Sequence, residues 1–357
     1  MSRTHDPSQL NDHIQQLVDG AASGHIRSVV LGVQSDDGSV RIRAAAGAAK
    51  PDDAYYIASI SKIITASMVM QLVDEGRLDL SHRVVDLLPH LRLDGVHRHD
   101  GTDHTERLEA RHLLHQTSGL ADYFAGGFED DFKANRDRPY TVADVVDIAR
   151  GNDANFPPGD RDGRRSAYSD TNYQLLTAII ENVTGDTYGD AVQKRIAAPL
   201  GLEHTYVEGD VPTSSSSRPV PLRHNGRPLD LRQALASERG AGGIISTLDD
   251  QLQFSAAYHQ GRLFDSAHAD EMQRWNRLFF PVDYGYGVMR YRLPRWVTGF
   301  RQLPELIGHA GASNSFTFFV PELGCHIAGT LNDLDNPSRA FKLMMKVVGT
   351  IRKAQRQ

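Results

Sequence analysis

The chain has 357 residues, enough to bury a large core, and its length alone suggests two structural lobes. Hydrophobic residues make up 40% and charged residues 24%, and a net charge of −6 with interspersed signs excludes the basic footprint of a nucleic-acid binder. A single cysteine, Cys325, excludes an internal disulfide framework, and no apolar run approaches the ~18 residues of a membrane span.

The first twenty residues lack an apolar signal region, so a cytoplasmic location is expected. Leu10, Ile14, Leu17 and Val18 recur instead at the spacing of an amphipathic helix. Two β-branched runs, Ile26 to Val33 and Val40 to Ala45, flank Ser35-Asp36-Asp37-Gly38 and predict a hairpin. Ile57 to Val73 is apolar on nearly every side and ends at Glu75-Gly76, which predicts a buried helix. Residues 80–240 read as helices joined by polar, His- and Asp-rich connections. The clearest are "TVADVVDIARG" (141–151) and "DTNYQLLTAIIENVTG" (170–185), the second carrying Leu175, Leu176, Ile179, Ile180 and Val183 and closed by Gly185. "PTSSSSRP" (212–219) reads as a flexible connector. Strands return from about residue 240: "SFTFFV" (315–320) and "CHIAGTL" (325–331) flank Pro321-Glu322-Leu323-Gly324, and "SRAFKLMMKVVGTIRKA" reads as a closing helix. The order predicts a single α/β (α+β) catalytic unit over 1–357. Residues about 1–80 and 241–357 form a lobe with an antiparallel sheet and flanking terminal helices, and about 81–240 an inserted, mostly helical lobe.

"YYIASISKII" (55–64) places a lysine inside the apolar helix. With Ser59 at the helix start, Ser59 and Lys62 are i and i+3 and within side-chain reach. A serine hydroxyl is a weak nucleophile until a base takes its proton, and a buried lysine can be that base. The helix N-terminus adds N–H groups and positive potential for a developing oxyanion. Alone, the pattern also fits a structural N-cap serine. Ser61 has the same chemistry, but its side chain diverges from its neighbour Lys62.

The stretch resembles the serine β-lactamase-like superfamily of penicillin-binding DD-peptidases, class C β-lactamases and related esterases, whose nucleophile motif is S-x-x-K. That resemblance implies a β-lactamase/transpeptidase-like fold and two further elements. "FPPGDRDGRRSAYSDTNYQLLTAIIENVTG" (156–185) resembles the family's tyrosine segment, with Tyr168 as the tyrosine. An ammonium beside that phenol would favour phenolate character and let it shuttle protons. Asp170 stands where the family pattern has Asn; it reads either as a helix N-cap or as a carboxylate facing Lys62. "IGHAGASNSFTFFVPELG" (307–324) supplies His309-Ala310-Gly311-Ala312 in place of the family's K-T-G or H-x-G. By the resemblance, the amides of Ser59 and Ala312 form the oxyanion hole, Gly311 admits the substrate closely, and His309 contacts the substrate or Tyr168. "RHLLHQTSGLADY" (111–123), "IAAPLGLEHTY" (196–206) and "GAGGIISTLDD" (240–250) match scaffold segments in the same order, so the likeness spans about 25–345.

Other signals carry less. His97, His99, His104, His112 and His115 lack a metal-ligand spacing, so no metal is assigned to them. The glycines of 240–243 lack G-K-[ST] and read as a tight turn beside the site; Cys325 reads as a core strand residue. Tyr55, Tyr123, Trp275, Tyr284 and Tyr286 fit a pocket wall and a core equally well. The resemblance implies acyl transfer to water without metal or organic cofactor, on a small-molecule ester or amide, with neither nucleic acid nor membrane as partner. His309 is a poor cation for a substrate carboxylate, which favours a cytoplasmic esterase or small-amide hydrolase over a DD-peptidase, D-aminopeptidase or β-lactamase. A non-catalytic binding or assembly protein is the third reading. The oligomeric state stays open.

Overall fold

The computed structural model describes residues 7–159, 166–209, 218–296, 303–336 and 338–356. The expected connector at 212–219 lies outside these apart from its last two residues, as do residues 160–165 of the tyrosine segment.

Helix α1 (Pro7–Ala21) buries Leu10, Ile14 and Val18, three of the four residues whose spacing predicts it. The hairpin follows as β1 (Ser28–Ser35) and β2 (Arg41–Gly47). Val29, Leu31 and Val33 of β1 join one apolar cluster and Val30 another, so this strand is buried on both faces. The apolar run begins with a 3₁₀ turn at Ala58–Ile60, and the α-helix proper, α2, is Ser61–Asp74. The late start has a local cause: Ala58 has φ +49°, a left-handed conformation that interrupts regular winding.

Helix α3 (Val142–Arg150) opens with a reciprocal cap, Thr141 Oγ1 accepting from Asp144 N and Asp144 Oδ2 from Thr141 N. Helix α4 (Asp170–Thr184) ends at Gly185, whose φ of +76° costs a glycine little. Helices α5 (Arg232–Gly242) and α6 (Leu248–His259) precede strands β3 (Asn276–Phe279), β4 (Val282–Tyr284), β5 (Met289–Tyr291), β6 (Leu306–Ala310), β7 (Ser315–Val320) and β8 (Cys325–Thr330). Helix α7 (Ser338–Ala354) closes the chain's described part.

The main sheet has eight antiparallel strands in the order β3-β4-β5-β6-β7-β8-β1-β2, so the N-terminal hairpin completes a sheet built largely from the C-terminal third. Helices α1 and α7 cover one face, with Leu343, Val347 and Ile351 among the buried residues. Helix α6 covers the other, where Leu248 and Leu252 meet Val30 and Ala328. A second core surrounds α2 and joins it to α4 through residues such as Ile64, Met68, Leu176 and Ile180. Burying an Ile or Leu side chain contributes about 1.5–3 kcal/mol. The many around α2 offset the desolvation of Lys62, which is fully buried in their midst. No helix among the described residues is long and apolar enough to cross a membrane.

Candidate active site

Lys62 has no exposed surface and is surrounded by acceptors. Its Nζ lies 3.1 Å from Ser59 Oγ, 2.6 Å from the Ala241 carbonyl and 2.5 Å from Asp170 Oδ1. Three N–H donors thus meet three acceptors, which is how a buried ammonium is tolerated. The i, i+3 relation of Ser59 and Lys62 survives the 3₁₀ start, because that winding also brings residues three apart onto one side. Ala241 reaches the site through a break in α5, where Arg239 has φ +41°. Residues 240–242, expected as a turn, form the end of that helix.

Asp170 is the first residue of α4, and the cap position belongs to Ser169. Of its two sequence readings, the carboxylate facing Lys62 is the one observed. The backbone N–H of Asp170 is satisfied by Asp122 Oδ1 at 3.0 Å, so the TSGLADY segment caps this helix from outside. Gln116, with φ +57°, accepts from Ser169 N at 2.9 Å and Asn172 Nδ2 at 2.6 Å, which holds the segment carrying Tyr168.

Tyr168 is half-buried, with Lys62 Nζ 5.0 Å from its ring centroid. Burial foremost, then the Asp170 charge, holds its phenol well above the ordinary range, while a hydrogen bond with Ser59 draws it back in part. Tyr168 is therefore a neutral phenol near neutrality. The expected phenolate character is overturned: Asp170 pairs with the ammonium that would have produced it, and adds a negative charge of its own.

His309 ends up differently from expectation. It is fully buried on β6, and its ring lies 6.3 Å from that of Tyr168 and outside the lining of the cavity described below. Nδ1 donates to the Ala310 carbonyl at 2.7 Å, and Nε2 faces the Tyr284 hydroxyl at 3.4 Å. Burial, reinforced by the charge of Lys62, pushes the imidazole down to about 3, so it is neutral. From this position it touches Tyr284 rather than the space a substrate would fill.

Ser59, Tyr168, Asp170, Gly311 and Ala312 line one cavity of about 420 Å³. Glu238 lines it as well, with Phe124, Leu235, Phe279, Met289 and Tyr291 as apolar walls. Two serines that sequence reasoning passed over set the two sides in register. Ser315 Oγ donates to the Ile57 carbonyl at 2.8 Å and Ser313 Oγ to the Tyr56 carbonyl at 2.9 Å. The turn carrying Ala312 is thereby tied to the segment entering Ser59.

Gly311 sits in that junction. A Cβ there would lie 2.4 Å from Ser315 Oγ, 2.7 Å from the Ile57 carbonyl and 2.8 Å from Ala58 Cβ. Gly311→Ala is expected to displace the turn and lower kcat by about 10²–10³-fold, the effect of losing one oxyanion donor. Steady-state kinetics measures this; wild-type kcat in a folded variant would show that the junction does not need glycine.

Sequence reasoning also missed Glu238 and Asp122. Glu238 is 6% exposed and bonded by the Tyr123 hydroxyl. Burial first, then the nearby Asp170 charge, raises both carboxyls, Glu238 to about 8 and Asp122 to about 7. Glu238 lies in no quoted segment and Asp122, although inside the matching segment 111–123, carries no signal of its own; both come near the Lys62 charge only through folding. Of the aromatics, Tyr55, Tyr123, Tyr284 and Tyr286 are core residues, and Trp275 is half-buried under the Arg290 guanidinium at 4.7 Å. Among the discounted histidines, His97 binds the Ser118 carbonyl at 2.8 Å, His99 that of Ala154 at 2.9 Å, and His115 that of Arg274. Cys325 is a buried strand residue whose thiol burial pushes up to about 11.

An antiparallel sheet, a buried helix beginning at S-x-x-K, and a tyrosine and strand end facing that serine define a protein of the β-lactamase/transpeptidase-like class. The Beta-lactamase family model matches residues 10–345, and the chain belongs to that family. Among solved structures, a D-stereospecific amidohydrolase from Streptomyces sp. is 28% identical, with a TM-score of 0.75 over 93% of this chain and 97% of that one. The D-amino acid amidase of Ochrobactrum anthropi SV3 shares 24% identity, with a TM-score of 0.80 over 97% of this chain and 99% of that one. Among curated relatives, penicillin-binding protein 4 of Amycolatopsis lactamdurans is 28% identical over 57% of this chain and 50% of its own length. Protein flp of Staphylococcus aureus is 31% identical over 44% of this chain and 28% of its own. The chain thus spans half or less of the curated relatives it matches.

Proposed function

We propose that the protein hydrolyses ester and small amide bonds through an acyl-enzyme on Ser59, preferring substrates with an ammonium group beside the scissile carbonyl, such as D-amino-acid amides and esters. One observation carries the preference: the cavity that holds Ser59 is lined by two carboxyl groups, Asp170 and Glu238, and by no Lys, Arg or His among the described residues. Asp170 is already paired with Lys62, so it is Glu238, once ionised, that repels the carboxylate of a β-lactam or of a D-Ala-D-Ala terminus and attracts a cation. The 28% identity to a D-stereospecific amidohydrolase supports the same direction. A plain esterase is the second reading, favoured by the apolar walls of Phe124, Leu235, Phe279, Met289 and Tyr291.

In this reading Ser59 Oγ attacks the carbonyl as Lys62 takes its proton, having passed one of its own to Asp170 at 2.5 Å. The Ser59 and Ala312 amides receive the oxyanion. Tyr168, whose phenol keeps its proton, suits the acid that protonates the leaving amine or alcohol, and regains that proton from Lys62. Water then cleaves the ester by the same path in reverse.

Glu238→Gln is expected to raise KM for D-phenylalanine methyl ester by about tenfold or more, the loss of one charge-assisted contact, and to leave methyl 3-phenylpropionate nearly unchanged. For the amino ester, wild-type kcat/KM should rise above pH 6 as Glu238 ionises toward about 8. It should fall again as the substrate's own ammonium, with a pKa near ~7.7–8.0, is lost. Equal turnover of the two esters by wild type would leave the plain esterase, and faster turnover of a penicillin would reverse the charge argument.

A further inference from the structure

Behind the 311–314 turn, three parts of the chain remote in sequence converge. His25 comes from the segment before β1, His224 from a short ribbon at 223–228, and Asp333 and Asp335 from the segment after β8. One ligand atom each from His25, Asp333 and Asp335 lies within 4.8 Å of the others, and His25 Nε2 is 3.7 Å from Asp335 Oδ2. We propose that His25, Asp333 and Asp335 bind a divalent transition-metal cation, with water completing the coordination and His224 orienting Asp335.

The cluster has the unmet valences that a cation would fill. Asp333 is 0% exposed, and its Oδ2 is buried without a hydrogen-bond partner among the described residues. His25 Nε2 is likewise buried and unpartnered. A buried carboxylate oxygen and a buried imidazole nitrogen left this way cost free energy unless something joins them. The remaining atoms are already committed: Asp333 Oδ1 accepts from Asp335 N at 2.8 Å and Asp335 Oδ2 from Asn225 N at 2.6 Å. His224 Nδ1 stands 2.8 Å from Asp335 Oδ1, while its Nε2 accepts from the Asn225 amide at 3.1 Å. That is the arrangement by which an outer histidine fixes a ligating carboxylate.

One imidazole and two carboxylates suit Zn²⁺ or Co²⁺, whose tetrahedral bonds of about 2.1 Å set ligands about 3.4 Å apart, close to the His25–Asp335 separation. The site would cross-link three strands of chain directly behind the cavity. Asn314 Nδ2 donates to the carbonyls of Asp333 at 2.7 Å and Asp335 at 3.1 Å, and Asp333 N donates to the Ser313 carbonyl at 3.2 Å. The cation would thus brace the turn that bears Ala312.

The test uses untagged, chelator-stripped protein titrated with Zn²⁺ by calorimetry and with Co²⁺ by visible absorption, with thermal melts in parallel. The expected result is one equivalent bound, a tetrahedral Co²⁺ ligand-field band, and a melting point raised by roughly 3–4 °C at a hundredfold excess over Kd. All three should be lost in His25→Ala, whose partly exposed ring can be removed without opening the core, and in Asp333→Asn. Absence of saturable binding to the stripped wild type overturns the proposal. So does binding that both variants retain, which would place the cation elsewhere.

Discussion

Ser59→Ala is expected to lower kcat/KM by about 10⁴-fold or more and to abolish covalent labelling by a fluorophosphonate. Removing a nucleophile deletes the acyl-enzyme path altogether, and what survives comes from the remaining binding and oxyanion groups. Geometry makes the effect specific to this serine. Ser59 is half-buried, lines the cavity, and has Lys62 Nζ at 3.1 Å. Ser61, two residues on, is fully buried, and its hydroxyl accepts a long contact from Ile244 N at 3.4 Å. Ser61→Ala should therefore keep both label and turnover. Intact-mass measurement of wild type and both variants, with the fluorophosphonate, a p-nitrophenyl ester, a penicillin and a D-Ala-D-Ala peptide, decides the matter. An adduct that persists in Ser59→Ala removes the serine from its assigned role.

Lys62→Met should be damaging twice over, and the two losses can be separated. Turnover should fall by about 10²–10⁴-fold with the loss of proton transfer to and from Ser59. Stability should fall by about 3–5 kcal/mol, because Asp170, 9% exposed, is left as a buried carboxylate without its cation. Asp122 and Glu238 aggravate this, since each already feels the Asp170 charge. Adding Asp170→Asn to Lys62→Met removes the stranded charge, so most of the stability should return while turnover stays lost. Denaturant melts and kinetics on the two single variants and the double variant form the cycle. If the double variant is no more stable than Lys62→Met, the pair does not account for the buried charge; if it regains turnover, Lys62 moves no proton.

Much of the fold was legible from residue patterns because the forces behind them are local. The spacing of Leu10, Ile14 and Val18, the turn at 35–38, the closing Gly185 and the hairpin about 321–324 each record which faces must be buried and where the chain must turn. The S-x-x-K spacing was legible for the same reason, since one helical turn separates its ends. The carboxyls that feel the Lys62 charge were not. Asp122 and Glu238 lie 60 and 176 positions beyond Lys62, and no local rule places a carboxyl beside a lysine across such distances.

The sequence by itself determined the terminal helices, the two hairpins, the helices at 142–150 and 170–184, the family resemblance and the pairing of Ser59 with Lys62 through a single turn. Only the tertiary structure decided the electrostatics, because a side chain's charge state depends on everything that replaces its water. It set Asp170 against the lysine, kept Tyr168 a neutral phenol, and turned His309 toward Tyr284 and away from the cavity. It likewise joined Ser313 and Ser315 to the backbone before Ser59, and brought His25 to Asp333 and Asp335.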